Sequence, residues 1–237
     1  MPYHELYEAF RECLLAENRY VHVENRASYC MKQSGRTLTL LFQKSNGLTD
    51  WINNFDFLPR SQSNVYQCCK AVLCGLSLPA TPYRHMENSV RWKCHRGFLR
   101  VWKSIEPYVA DTVRNPQVSS IRIIGYSHGA AIAQLCYEYV RFHRPDVCVV
   151  GYGFGAPRVV WGRPSQEVAE RFEGFVAVRN GKDLVTYMPP RLVGFRHVGR
   201  LITLNRENSR GLIKDHYPEA YMMALRGARE EEFQRKD

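Results

Sequence analysis

The 237-residue chain has no long apolar run. Its longest stretch without Asp, Glu, Lys or Arg covers the 15 residues from 123 to 137, whereas a bilayer-spanning helix needs about 20 apolar residues. The N-terminal residues 2–19 mix Glu and Arg with apolar positions, while a signal peptide has a continuous apolar segment there. The sequence therefore predicts neither a membrane span nor an export signal, and we expect a cytoplasmic protein.

Metal-binding spacings are also absent. The chain has eight Cys, but no two of them form a Cys-x-x-Cys pair, and structural zinc sites commonly use such pairs. A cytoplasmic location would keep these thiols reduced. The sequence therefore implies no metal, no organic cofactor and no disulfide framework.

Acidic residues are outnumbered by basic ones, and the net charge is +10. The basic residues are spread along the chain without a run of five like charges. Because no nucleic-acid-binding motif accompanies the charge, nucleic acid is not an expected partner. Transient contact with an anionic membrane surface fits the charge, and nothing in the sequence implies an obligate protein partner.

The composition, with 45% hydrophobic and 24% charged residues, is that of a globular protein. We expect one domain over residues 1–237. Apolar, β-branched segments that alternate with helical patterns predict an α/β fold, with a mostly parallel sheet covered by helices on both faces. The predicted strands are 28–33, 37–43, 120–125, 147–154, 175–178 and 195–204, and the predicted helices are 2–18, 97–114, 128–141, 168–172 and 218–226. Residues 59–90 are irregular, which suggests a lid or a substrate-groove insertion.

The strongest motif is Gly125-Tyr126-Ser127-His128-Gly129. It lies between a predicted buried strand and an Ala-rich helix, which is the setting of a nucleophile elbow. The glycines avoid a collision with neighbouring backbone, and the Ser127 hydroxyl is expected to stand clear at the carboxyl edge of the sheet. The His128 amide is expected to point to the place where an oxyanion would form.

A serine nucleophile needs a histidine base, and four His residues follow Ser127 in or after the motif. His128 belongs to the elbow itself, and His143 is a full helix length away. His197 lies in or beside a predicted strand. The order Ser, acid, His is compatible with both His197 and His216, and we favour His216, which lies in a loop before the last predicted helix, with His197 as the alternative.

The base needs an acid to orient it. Asp183 follows the predicted strand 175–178, and the carboxyl end of a later parallel strand is where the acid belongs. Asp146 precedes its strand, at the opposite end of the sheet. Asp215 is adjacent to His216, and a neighbouring residue rarely reaches its own partner's ring.

Several separate segments make the chain resemble the class 3 (fungal-type) lipase family of α/β-hydrolases over roughly residues 28–225. They include Leu41–Ser45 with Asp50–Asn54, His95–Phe98, Ile123–Ala131, Gly153–Arg158, Asn180–Pro190 and Asp215–Tyr217. The resemblance implies that Ser127, Asp183 and His216 form the catalytic triad and that Ser45 and His128 form the oxyanion hole. One departure is Lys44, which stands where the family has Gly, a residue that adopts positive φ without strain.

The resemblance implies a serine hydrolase that cleaves carboxylic esters, of lipid or acylglycerol type, through an acyl-enzyme. Two alternatives stay open from the sequence. Lys44 would fit a hydrolase scaffold that has lost activity and acts as a binding module. The net charge would fit an acyl hydrolase directed at phospholipids.

Overall fold

A computed structural model describes residues 3–16, 19–24, 27–42, 80–205, 209 and 211–234. Lys44, Ser45 and residues 59–79 of the expected lid lie outside this part of the chain. The helices that the structure describes are α1 (Tyr3–Leu15), α2 (Arg96–Arg114), α3 (His128–His143), α4 (Gln166–Arg171) and α5 (Pro218–Gln234). The strands are β1 (Val21–Val23), β2 (Ala27–Ser34), β3 (Thr37–Phe42), β4 (Ala80–Tyr83), β5 (Trp92–His95), β6 (Ser120–Tyr126), β7 (Cys148–Phe154), β8 (Val160–Trp161), β9 (Phe175–Asn180), β10 (Phe195–Arg196) and β11 (Arg200–Leu204).

Seven strands form the central sheet, in the order β1-β2-β3-β6-β7-β9-β11. The five strands from β3 to β11 pair in parallel, and β2 forms the predicted antiparallel hairpin with β3. Parallel strands are buried on both faces, which explains why apolar residues of β6 face both sides of the sheet. Its Ile121, Ile123 and Ile124 are all 0% exposed.

Helices cover both faces of this sheet. Ile123 points into a core with α2 and α3, whereas its neighbour Ile124 points into a second core with α1 and α5. This alternation follows from the two-residue period of a strand. Helix α3 is buried along most of its length, with 12 of 16 residues buried, so its predicted helical run lacks a polar face.

The single strand predicted for 195–204 is wrong. Phe195–Arg196 belongs to a separate antiparallel sheet of order β10-β8-β5-β4, whereas Arg200–Leu204 extends the central sheet beside β9. The change of sheet occurs at Gly199, which has φ +70°, and a Cβ there would lie 2.4 Å from the Phe175 carbonyl oxygen. Residues 80–83 of the stretch predicted to be irregular form β4 of this second sheet.

A buried carboxylate joins the second sheet to the helices. Glu138 of α3 is 0% exposed, and its two oxygens lie 2.7 Å from Arg171 Nε of α4 and 2.5 Å from His85 Nε2 in the turn after β4. A buried charge is tolerated only when it is paired and hydrogen-bonded. These contacts therefore fix where the turn after β4 sits against α3.

Candidate active site

Ser127 occupies the sharp turn between β6 and α3. Its φ of 58° and ψ of −121° are unusual for a residue with a side chain, and its N–H donates to the Phe154 carbonyl at 2.8 Å. The glycine at position 125 is required because a Cβ there would lie 2.3 Å from the Gly129 carbonyl oxygen. The predicted elbow geometry is therefore present.

The elbow brings Ser127 to His216 and Asp183. Ser127 Oγ lies 2.8 Å from His216 Nε2, and His216 Nδ1 lies 2.8 Å from Asp183 Oδ2. The three side chains are at most 1% exposed, so the hydroxyl does not stand clear as the sequence led us to expect. With the Nδ1 proton donated to Asp183, Nε2 accepts the hydroxyl proton of Ser127.

Asp183 follows β9 and caps the 3-10 turn Leu184–Tyr187, because its Oδ1 accepts from Val185 N at 2.9 Å. Its Oδ2 also accepts from the Tyr221 hydroxyl of α5 at 2.6 Å. Burial raises the pKa of the Tyr221 hydroxyl well above its usual value, and the Asp183 carboxylate raises this pKa further. Tyr221 therefore stays a proton donor, and these contacts hold the carboxylate oxygen aimed at His216.

The His216 ring has neighbours on two sides. The Tyr126 ring stacks against it, with 5.3 Å between ring centroids and an interplanar angle of 19°, and the Tyr126 hydroxyl donates to the His216 carbonyl. Gly155 lies close by with φ +58°, and a Cβ there would lie 2.8 Å from His216 Cε1 and 3.1 Å from Asp183 Oδ2. Only glycine fits at position 155 without displacing the imidazole.

Asp215 ties the loop of the acid to the loop of the base. Its buried carboxylate accepts from Lys182 N at 2.8 Å, next to Asp183, and from Ser209 Oγ at 2.5 Å. Lys182 directly precedes Asp183, and Asp215 directly precedes His216. The contact between Lys182 and Asp215 therefore helps to position both Asp183 and His216. Asp215 does not compete with Asp183 for the His216 ring.

The other histidines are engaged elsewhere. His197 Nε2 lies 2.7 Å from the Thr186 carbonyl, and His143 packs against Tyr139 at the far end of α3. The His128 ring contacts Phe98 edge to face. The alternative base, His197, is therefore not at the Ser127 hydroxyl.

Asp146, a candidate for the acid, and Cys94, a candidate for the nucleophile, are also unsuited to these roles. Asp146 pairs with Arg144 at 2.9 Å, at the amino end of β7. Cys94 lies beside His95 in the sequence and is the next candidate for a nucleophile after Ser127, but it is 0% exposed, and burial raises the pKa of its thiol to about 12. A thiol with that pKa supplies almost no thiolate at neutral pH.

His128 is the first residue of α3, and the amide N–H groups of a first helical turn have no partner within the helix. The amide of His128 therefore fits the predicted place in an oxyanion hole. The second predicted member, Ser45, lies outside the described residues. Within the described ranges, no group of three or more His, Cys, Asp or Glu side chains has a metal-binding arrangement, and no helix is long and apolar enough to cross a membrane.

Comparison with known proteins shows which family the chain belongs to. The model of the family described as Lipase (class 3) matches residues 39–193. The chain belongs to the class 3 lipase family. One curated relative is a secreted mono- and diacylglycerol lipase of Malassezia restricta. It is 29% identical to this chain over 136 residues, which cover 54% of this chain and 42% of that protein. The chain thus spans less than half the length of the curated relatives that it matches.

Solved lipase structures share the fold. The triacylglyceride lipase of Rhizomucor miehei superposes with a TM-score of 0.61 at 17% identity, over 86% of this chain and 82% of that one. The mono- and diacylglycerol lipase of Aspergillus oryzae gives 0.56 at 16% identity, over 83% and 66%. The predicted α/β-hydrolase fold is confirmed by these likenesses.

The cytoplasmic location predicted from the sequence is wrong, because curated relatives in Malassezia are described as secreted. The prediction relied on the mixed charges of the N-terminal residues 2–19. The structure gives those charges another reason: α1 is amphipathic and buries Leu6, Phe10 and Cys13 in the core. Its polar face therefore carries no information about cellular location.

Sequence reasoning missed the residues that surround the three predicted ones. Tyr126 and Gly155 lie within segments that were already singled out, so their proximity to the site could have been found. Tyr221 has no local signal, because it reaches Asp183 only when α5 packs against the sheet. Asp215 was considered only as a rival acid, and its contact with Lys182 depends on how two loops meet.

Tyr221→Phe is expected to lower kcat for ester hydrolysis by about tenfold while KM changes little. The variant keeps the ring that packs in the core but removes the hydrogen bond to Asp183, and such a bond to a charged group contributes about 1.5–3 kcal/mol. Steady-state kinetics on a soluble ester would measure kcat and KM separately. The matched control is Tyr152→Phe, a buried tyrosine that bonds Glu5 instead, and an equal loss there would contradict the assigned role.

Acidification is expected to destabilise the protein between about pH 6.5 and pH 4. The pKa of His197 is lowered from 6.5 to about 4, mainly by burial and also by the nearby guanidinium groups of Arg179 and Arg158, and the hydrogen bond to the Thr186 carbonyl opposes this shift only in part. The unfolded chain therefore binds a proton that the folded chain does not, so stability is lost as pH falls through this window. In thermal melts at several pH values, His197→Gln should show a smaller fall in Tm than the wild type; an identical fall would contradict the prediction.

Proposed function

We propose that this chain is a serine hydrolase that cleaves carboxylic esters of the acylglycerol type. The observation that carries the proposal is the continuous hydrogen-bond chain from Ser127 Oγ through His216 to Asp183, with 2.8 Å at each step. Membership of the class 3 lipase family supports it. The curated relatives act on mono- and diacylglycerols according to their names, which supports the substrate class.

In the proposed first step, Ser127 Oγ attacks the ester carbonyl while His216 Nε2 takes the hydroxyl proton. The negative charge on the carbonyl oxygen is stabilised by the His128 amide, and by Ser45 as the family resemblance implies. Asp183 stabilises the imidazolium that forms and keeps its ring in place. The C–O bond of the ester then breaks, and His216 gives its proton to the leaving alcohol.

The second step releases the acid. A water molecule takes the place of the alcohol, and His216 accepts one of its protons as the oxygen attacks the acyl carbon. The tetrahedral intermediate collapses, and the proton returns to Ser127 Oγ. The surroundings of His216 suit both transfers, because the ring stacks on Tyr126 and its Nδ1 is hydrogen-bonded to Asp183, while Gly155 leaves the room that the imidazole needs.

The proposed partners follow from the same chemistry. The substrate is a lipid or a small ester, and the net charge of +10 favours transient contact with an anionic membrane surface over contact with a neutral one. The stretch 59–90, within which residues 80–83 form β4, is proposed as a lid or substrate-groove insertion. The proposed domain organisation is a single domain over residues 1–237.

A substrate series tests the proposal. The purified chain is expected to hydrolyse p-nitrophenyl esters and to release fatty acid from mono- and diacylglycerol emulsions, with the rate varying with acyl chain length. Hydrolysis of soluble esters without any release from acylglycerols would reject the lipid substrate. Failure on every ester, together with no labelling by a fluorophosphonate, would favour a binding module on a hydrolase scaffold.

A further inference from the structure

The segment that follows Asp183 lies at the same edge of the sheet as Ser127. Strands β6, β7 and β9 run in parallel, so their carboxyl ends meet at one edge, and Ser127, Gly155 and Asp183 all follow these ends. The 3-10 turn Leu184–Tyr187 begins at Asp183, and a second turn, Arg191–Val193, comes next. Whatever binds these two turns binds beside the site.

Large apolar side chains are exposed on these turns and on the strand beside them. Leu192 is 100% exposed, and Tyr187 and Trp161 are 38% and 37% exposed. The next most exposed large apolar residue in the described ranges is Leu15, at 69%. Tyrosine and tryptophan are enriched where an apolar phase meets water, so this composition resembles that of a membrane-interface patch.

The exposed leucine is on a rigid turn. Val193 N donates to the Pro190 carbonyl at 3.2 Å and Gly194 N to the Arg191 carbonyl at 2.9 Å. Trp161 Nε1 donates to the Val193 carbonyl at 2.9 Å, which anchors the turn to β8. Because the turn is already ordered, binding through its apolar tip costs little conformational entropy.

Arginines surround the apolar side chains. The guanidinium carbons of Arg179 and Arg158 lie 4.2 Å and 5.9 Å from the centroid of the Tyr187 ring, and Arg191 is exposed beside Leu192. Within the described part of the chain, none of these three arginines lies within ion-pair distance of a carboxylate. Four arginines elsewhere in this part do lie within ion-pair distance of a carboxylate, namely Arg11, Arg122, Arg144 and Arg171.

The sequence of this region also has more basic than acidic residues. Residues 184–205 contain three Arg and no Asp or Glu. Positive charge is therefore uncompensated along the same segment that carries the exposed Leu192. Guanidinium groups bind phosphate in a bidentate manner, and charge near an anionic lipid surface attracts the protein to it.

We propose that this docking surface, formed by Trp161, Tyr187, Leu192, Arg158, Arg179 and Arg191, binds the face of an anionic phospholipid membrane. Leu192 enters the interfacial layer, the tyrosine and tryptophan lie at the headgroup level, and the arginines contact lipid phosphates. The docking deepens the proposed function and rests on it, because it places the Ser127 edge of the sheet at the surface from which an ester lipid would be taken. A nucleic acid or an acidic protein would use the arginines but would have no need of a fully exposed leucine.

Vesicle co-sedimentation tests the docking surface. The wild type is expected to bind vesicles of phosphatidylcholine mixed with phosphatidylglycerol, and to bind pure phosphatidylcholine vesicles far more weakly. Arg191→Glu changes the charge by two and should weaken binding about 25-fold, since each charge contributes roughly fivefold. Leu192→Ser should weaken it about tenfold or more, since the leucine side chain would no longer be buried. The matched controls are Arg19→Glu and Leu15→Ser, exposed residues at the end of α1.

Hydrolysis of p-nitrophenyl butyrate, a soluble ester, separates the two proposals. Arg191→Glu and Leu192→Ser are expected to keep wild-type rates on it, so a chain that binds vesicles but cleaves no ester rejects only the proposed function. The docking surface is overturned if the wild type does not prefer anionic vesicles, or if the controls weaken binding as much as the two variants do. It is also overturned if Arg191→Glu acts and Leu192→Ser does not, because a purely electrostatic contact does not require a lipid.

Discussion

Ser127→Ala is expected to reduce kcat/KM for a carboxylic ester by about 10⁵-fold or more, because the other triad members have no nucleophile to activate. Labelling by a fluorophosphonate should disappear entirely. The fold should survive, since the exchange removes one hydroxyl and its hydrogen bond to His216, a loss of about 1 kcal/mol. Ester hydrolysis, probe labelling and a thermal melt on the same preparation measure all three.

The outcome that would contradict this assignment is residual labelling of the Ser127→Ala protein, located by mass spectrometry. Label on another residue would move the nucleophile away from the elbow. Cys94→Ala serves as the comparison, because Cys94 is buried and its thiol pKa is raised to about 12. That variant should be labelled as the wild type is.

His216→Ala is expected to be about as damaging as the loss of Ser127, because triad members act as a unit and their effects are not additive. A double variant of Ser127 and His216 should therefore be no slower than either single one. Asp183→Asn should cost about 10⁴-fold, since an amide cannot hold the imidazole in the same tautomer. Single-turnover kinetics on a chromogenic ester would measure the rate of each variant, and would follow the acyl-enzyme in the variants that keep Ser127.

His197→Ala is the control for the base. Its ring bonds the Thr186 carbonyl and lies away from the serine hydroxyl, so the variant should retain activity even though its stability at neutral pH falls. If His197→Ala abolished hydrolysis in a folded protein while His216→Ala did not, the assignment of the base would have to be exchanged.

The parts of the site that depend on local structure could be predicted from the sequence. The elbow is defined by steric contacts between residues four or five positions apart, such as Gly125 against Gly129, so its motif contains its own geometry. The succession of β6, α3, β7, α4 and β9 could likewise be predicted, because apolar strand patterns alternate there with helical ones. Asp183 and His216 could be selected because few acidic and His residues satisfy two conditions. They must follow Ser127 in the order Ser, acid, His, and the acid must follow the carboxyl end of a parallel strand.

The remaining features depend on contacts between distant segments. The apolar run 195–204 has the composition of one strand, but close packing of Gly199 on the Phe175 carbonyl divides it between two sheets. The contact of Tyr221 with Asp183 spans 38 positions, and no periodicity indicates it. The burial of the Ser127 hydroxyl likewise results from the assembled fold, whereas the elbow motif led us to expect an exposed hydroxyl.

The distribution of the site along the chain has a consequence for biosynthesis. A nascent chain that has emerged only as far as Asp183 contains the nucleophile and the acid, yet it has no base, because His216 follows 33 positions later. The hydrogen bond from Tyr221 forms only after helix Pro218–Gln234 has also packed onto the sheet. The hydrogen-bonded arrangement of Ser127, His216 and Asp183 therefore cannot form until the chain has been made and folded past residue 216, and the proposed hydrolytic activity is expected to be absent from any shorter nascent chain.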